Sequence, residues 1–157
     1  MATYNFKSSG TTTSRQNSTI LKVTPTPIGI LTPMQLGSTQ GQGLLVQTFS
    51  MADQVGDNLR NLLLTNWGER LFQYNFGANL RPLTTEYTNI DDFDSKAFDN
   101  IKNAVSTWMP YIDLDGYQSN VNRINNTNTA IIAITITYDV PSLQVKGAQV
   151  TITLYVI

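Results

Sequence analysis

The 157 residues contain no cysteine and no histidine. That excludes disulfides, thiolate nucleophiles and the usual zinc ligand sets, and it removes the commonest acid/base side chain. Charge is scarce as well: 13% of residues are Asp, Glu, Lys or Arg, about half the share in an average globular protein. With a net charge of −1 and no lysine/arginine run, neither a nucleic acid nor an anionic membrane surface is implied as a partner. No apolar run approaches the ~20 residues of a membrane helix, and the N-terminus has no secretory apolar region. No internal repeat is visible.

What is abundant is Thr, Asn, Ser and Gln. An uncharged but polar surface suits a protein packed against other proteins. The length fits one domain with a substantial core. The expected fold is α+β: two helices packed on a small, mainly antiparallel sheet. An extended N-terminal arm, residues 1–42, precedes a single α+β domain, residues 43–157. From Met1 to Thr19 only Tyr4 and Phe6 are large and apolar, too little burial to offset backbone ordering of about 1 kcal/mol per residue. Either the rest of the domain or, in preference, neighbouring chains are therefore expected to hold this arm. Pro25, Pro27 and Pro33 keep the next segment extended, with a strand near Gly43 to Phe49.

Ser50 is a suitable N-cap, with Asp53 at the third helical position. Val55, Leu59, Leu62 and Leu63 then share one face of period 3.6, predicting a helix over 50–66 that stops at Gly68. The stretch Thr65 to Leu83, TNWGERLFQYNFGANLRPL, reads as a packed connector. Gly68 and Gly77 suit left-handed backbone, and Glu69 and Arg70 read more as an internal ion pair or helix-terminus partners than as an intermolecular contact. Phe72, Phe76, Leu80 and Trp108 are expected in the core, and Trp67 also. An acidic segment with Glu86, Asp91, Asp92 and Asp94 follows. It lacks the spacing and glycine of a calcium loop, so a helix N-terminus is the simpler reading. Asp92 or Asp94 would cap a second helix with Ala97, Ile101, Ala104, Val105 and Trp108 on one face, ended by Pro110.

The last third alternates. Tyr111 to Ile124 does so weakly, with Gly116 as a turn or bulge, and Asn125 to Asn128 forms a turn. Ile132, Ile134, Ile136 and Tyr138 line one face of the next strand. After a proline-containing connection over 140–147, Val150, Ile152, Leu154 and Val156 line one face of the last. The opposite faces are largely threonine and aromatic. A terminal strand without proline, lysine or other charge invites β-pairing, which makes Val150, Ile152, Leu154 and Val156 strand-pairing candidates.

The segments PIGILTPM, DQVGDNLRNLLLTNWGER and YNFGANL, followed by an acidic-capped helix and alternating strands, together resemble one family. It is the small baseplate-wedge or sheath-initiator (lysozyme-like wedge) family of contractile-tailed phages. The resemblance runs from about Pro27 to the C-terminus and is most specific over Leu62 to Leu80. Its motif positions are Gly68, Glu69, Arg70, Phe76, Gly77 and Leu80. The family's Glu-Pro-Arg-Ile motif falls on Met109, Pro110, Tyr111 and Ile112, where only Pro110 and Ile112 match; contacts of the missing Glu and Arg are not transferable.

The resemblance implies a structural protein of the virion tail baseplate, assembled in the host cytoplasm, with six copies around the tail axis. It also implies contact with other wedge subunits, the tail sheath protein, and tube or hub proteins, with the C-terminal sheet templating the first sheath ring by strand pairing. No cofactor and no metal are expected. Two other readings stand beside it: a generic α+β protein-interaction module, and a cell-wall lytic enzyme. The second is weak. Glycoside hydrolysis wants a carboxylic acid of raised pKa with a paired carboxylate; the two glutamates are Glu69, beside Arg70, and Glu86. Arg70, if close in space, would lower the Glu69 pKa.

Overall fold

In the computed structural model, residues 26–37, 43–86, 89–123 and 130–156 are described. The arm from Met1 to Thr19, the Asn125–Asn128 turn and Ile157 lie outside them. The first elements are β1 (Gly29–Ile30) and β2 (Gln47–Thr48), an antiparallel ribbon. A bridge between Leu36 and Leu45 lengthens it. The ribbon therefore pairs residues on both sides of the 42/43 boundary. It is fixed to the following helix where the Thr32 N–H donates to Asp57 Oδ2 at 3.1 Å.

Helix α1 spans Met51–Leu64, with Ser50 as its N-cap. Its buried residues are Val55, Leu59, Leu62 and Leu63, the face that the 3.6 period marks out. Its end differs from expectation. Thr65 is the C-cap in an extended conformation, and Gly68, though left-handed at φ +85, serves the next turn.

A short helix absent from the sequence reading, α2 (Leu80–Glu86), closes the connector. It buries Leu80 and Leu83, and its Pro82 sits in the first turn, where a missing N–H costs nothing. Helix α3 (Ile90–Trp108) follows, and its cap is Asn89, not Asp92 or Asp94. The fold is thus α+β, with three helices among the described residues where two were expected.

The main sheet is a three-stranded antiparallel meander, β3 (Asp113–Arg123), β4 (Ala130–Val140) and β5 (Val145–Val156), in the order β3-β4-β5. The register shifts between Leu114 and Gly116, the bulge that Gly116 suggested. Only Pro141–Leu143 forms a helical turn between β4 and β5, so β5 starts at Val145, earlier than its alternation indicated. All three helices lie on one face of the sheet: α1 and α2 pack on β5, and α3 packs on α1, α2 and β3. The core is one cluster, with Leu59, Leu62, Leu63, Leu80, Ile101, Ile134, Ile136 and Val140 fully buried. At roughly 1.5–3 kcal/mol for each fully buried aliphatic side chain, this layer is what the chain folds around.

Candidate interaction surfaces

The connector between α1 and α2 is built from hydrogen bonds to itself. Thr65 ends the helix by donating both its N–H (3.2 Å) and its hydroxyl (2.6 Å) to the Asn61 carbonyl. The Glu69 carboxylate then accepts from the Asn66 N–H and from Asn66 Nδ2, both at 2.8 Å. The Gly68 N–H donates to the Tyr74 carbonyl at 2.8 Å, closing a small loop. Across its base, Trp67 Nε1 donates to the Gly77 carbonyl at 3.1 Å. The Ala78 N–H reaches back to the Leu62 carbonyl at 3.2 Å.

Gly77 makes this closure possible. It is buried with φ +113, and a side chain there would run into the Thr65 carbonyl, whose carbon would stand 2.7 Å from the added Cβ.

Glu69 and Arg70 part company in this arrangement. Glu69 takes Asn66, which holds its pKa below the ordinary 4.5, with Arg81 adding a smaller coulombic contribution. Arg70 instead lies over the Phe76 ring, Cζ 3.6 Å from the centroid, a cation–π contact. Phe76 in turn meets Trp108 at 5.1 Å between centroids, tilted by 59°. The expected direction for Glu69 therefore holds, but its cause is Asn66.

Two aromatic assignments are corrected. Trp67 is 49% exposed, because its indole lies across the loop base to reach Gly77. Phe72 is fully exposed, beside Leu71 at 88%, since the loop turns outward at its tip. Phe72 also has φ +65, a left-handed conformation that costs a non-glycine residue on the order of 1 kcal/mol or more. The connector thus has at its tip an apolar finger of Leu71 and Phe72, with Tyr74 exposed at its side. Composition shows four large residues here; nothing in their spacing says which three face outward.

The acidic segment is used internally. Asp94 accepts from the Tyr117 hydroxyl at 3.0 Å and from Ser119 Oγ at 2.6 Å, joining α3 to β3. Burial, then the Asp94 contact, pushes the Tyr117 hydroxyl well above its ordinary range. Among the described residues no group of three Asp or Glu is placed to hold a metal, and no helix is long and apolar enough to cross a membrane.

The remaining motif positions fall in two places. Leu80 is buried at the start of α2. Pro110 is exposed and Ile112 buried in the α3–β3 turn, where Ile112 N–H donates to the Met109 carbonyl at 3.1 Å. Trp108, two residues earlier, touches Phe76, so this turn and the connector are neighbours. The other place is β5. Val150, Ile152 and Leu154 are buried and Val156 is partly so, all turned toward the helices. A partner strand would therefore meet the β5 backbone and the outward Gln149, Thr151, Thr153 and Tyr155, which are exposed. Among the described residues β5 pairs only with β4. Beside its last residues lies a groove of about 450 Å³, walled by Leu64, Leu80, Thr84, Thr153 and Tyr155.

The fold recurs in solved structures. One match is a chain of the anti-feeding prophage baseplate, solved by cryo-electron microscopy with six-fold symmetrisation: TM-score 0.57, 18% identity, covering 77% of this chain and 90% of that one. The chain has a baseplate protein's fold. A second match is a candidate tail lysozyme from Geobacter sulfurreducens, with TM-score 0.51 and 21% identity over 68% of this chain and 89% of that one. No family model matches the sequence, and no curated protein does. The resemblance read from about Pro27 to the C-terminus thus holds at the level of the fold. At these identities the baseplate fold is what is shared, and residue roles rest on the geometry above.

Proposed function

We propose that the protein is a structural component of a contractile-tail baseplate, an inner wedge protein that offers β5 to a sheath subunit. The observation that carries this reading is the lateral edge of β5, unpaired among the described residues, in a fold shared with a baseplate chain. Every second residue of an edge strand points its N–H and C=O outward, and an added strand gains main-chain hydrogen bonds there, with side-chain grooves giving selectivity. The groove beside Thr153 and Tyr155 is one such feature. The connector and the α3–β3 turn, lying side by side, are the surface we assign to other wedge subunits, with tube or hub proteins as further neighbours. Six copies, matching the symmetry of the anti-feeding prophage structure, would place the chain in the virion tail after assembly in the host cytoplasm.

The test must spare the core. Removing residues 150–157 would strip Val150, Ile152 and Leu154 from it, so loss of assembly would report unfolding. Thr153→Lys combined with Tyr155→Lys changes only outward positions and places charge on the edge. The expected result is a folded chain that enters baseplates while sheath fails to nucleate. Normal sheath on such particles would sink the strand-pairing reading; absence of the wild-type chain from purified baseplates would sink the baseplate role itself.

The second structural match raises cell-wall hydrolysis as another reading. Glu69 does not support it: the carboxylate is exposed, held by Asn66 and shifted down in pKa, opposite to what a general acid needs.

A further inference from the structure

The β1–β2 ribbon is packed with its polarity reversed. Its apolar side chains Ile28, Ile30, Met34, Leu36 and Leu44 are exposed, and no ribbon residue belongs to the core cluster or to the side chains packed against it. Its underside, laid on the first two turns of α1, is polar. Gly29 lies so close to the Gln54 amide that a Cβ would overlap it. Thr48, opposite Gly29 in the ribbon, is buried on that same side. Thr48 Oγ1, Gln54 Oε1 and Thr32 Oγ1 are all buried and find no hydrogen-bond partner among the described residues. The Gln54 amide donates instead through Nε2 to Asn58 Oδ1, at 3.0 Å. Polar atoms that have lost water and gained no partner oppose the contact that buries them.

Little holds the ribbon to the helix. Among the described residues one hydrogen bond crosses from it to α1, the Thr32 N–H to Asp57 Oδ2 at 3.1 Å. Within itself the ribbon is well tied. The Ile28 N–H donates to the Thr48 carbonyl (2.8 Å), Leu31 to Val46 (3.0 Å), Val46 to Gln35 (3.0 Å) and Gly37 to Leu44 (3.1 Å). It runs into α1 through Phe49 and Ser50 alone. An element with few buried apolar contacts opens at a fraction of the free energy of global unfolding.

We propose that the ribbon is a latched strap, which lifts from α1 as one unit about Phe49 and Ser50 while the core stays folded. The Thr32–Asp57 hydrogen bond is the latch. Lifting returns the three orphaned oxygens to water. It also takes Leu31 out of the wall of a cleft of about 480 Å³ between α1 and β5, which Tyr138, Val140 and Val150 also line. The strap thereby controls access to that cleft and to the first turns of α1. The proposal does not depend on the baseplate reading, because purified full-length chain is enough to test it.

Hydrogen–deuterium exchange at neutral pH is the test. The amides of Ile28, Leu31, Gly37 and Val46 should exchange with one common opening constant, at least about a hundredfold larger than that of the central strand β4. Thr48→Val keeps the side-chain shape, removes an unpartnered hydroxyl, and should lower that constant about tenfold. Asp57→Ala should raise it by a similar factor, while exchange in β4, the control for global unfolding, changes less. Because the chain has no cysteine, Thr48→Cys adds a second reporter: its buried thiol should react with a maleimide only on opening, and faster when Asp57→Ala is added. Ribbon amides that open only together with β4 would overturn the proposal. So would protection graded from Gly37 to Ile28, which marks fraying, or ribbon amides exchanging as in a free peptide, since the latched state would then be empty. A Thr48→Val ribbon that opens as readily as wild type, or an Asp57→Ala ribbon that opens no faster, would overturn it equally.

Discussion

Replacing Gly77 by alanine tests the connector most sharply. Two costs combine at this position. At φ +113 an L-residue is strained by roughly 1–3 kcal/mol. The new methyl group would also overlap the Thr65 carbonyl, which is backbone and already accepts from the Asn79 N–H at 3.4 Å. Relief requires moving Thr65, and with it the end of α1 and the Leu62–Ala78 hydrogen bond, worth about 1 kcal/mol. The sum is about 3 kcal/mol or more, hence a fall in melting temperature of roughly 6–12 °C for a chain of this size. Gly68→Ala is the internal control. Its φ of +85 carries similar strain, but the new methyl would meet only the edge of the exposed Tyr74 ring, at 3.2 Å, which can rotate away. Urea unfolding of the two variants gives the comparison. Gly77→Ala within about 1 kcal/mol of wild type, or less destabilised than Gly68→Ala, would refute the account of how the connector closes.

Further outcomes follow from single contacts. Glu69→Gln should reduce stability at neutral pH, and the difference from wild type should vanish in acid. The folded-state pKa of Glu69 lies below 4.5, so its contribution is present above that value and lost as pH falls through the lowered one; a difference that persists at pH 2 would count against the Asn66 contact. Tyr117→Phe removes the hydroxyl from Asp94 and should cost about 1 kcal/mol. Because the Tyr117 pKa is raised above 10, wild type should lose stability as pH climbs past 10, and the phenylalanine variant should lose less. Equal alkaline slopes would reject that assignment.

The sequence shows the parts of this fold that repeat. The α1 face from Val55 to Leu63 and the β4 face from Ile132 to Tyr138 are strictly periodic, and both are buried. What escapes is set by single side chains and by tertiary closure. Helix α2 has seven residues, two of them threonine and one proline, too short for a period to emerge; Pro82 just after Asn79 was its available signal. The Glu69–Arg70 pair failed because Asn66 lies nearer in the turn, and Phe76 offers Arg70 a ring face. Phe72 could not be placed from composition, since an aromatic in a connector serves equally as a core residue or as an outward anchor. The β5 candidates illustrate a further limit. Alternation identifies which side chains share a face, but whether a strand is at a sheet edge depends on strand order, which only the assembled β3-β4-β5 sheet supplies.

The pairing of β4 with β5 runs from Ala130 opposite Val156 to Val140 opposite Val145, broken by a single register shift. A strand laid along the outer side of β5 would be parallel or antiparallel to that ladder over the same length. Pulled along its axis, it would load many hydrogen bonds together in shear rather than opening them one at a time. Val150, Ile152 and Leu154, driven into the helical layer, act as pegs against sliding. A β5 paired in this way would be a coupling that transmits axial force into the body of the domain.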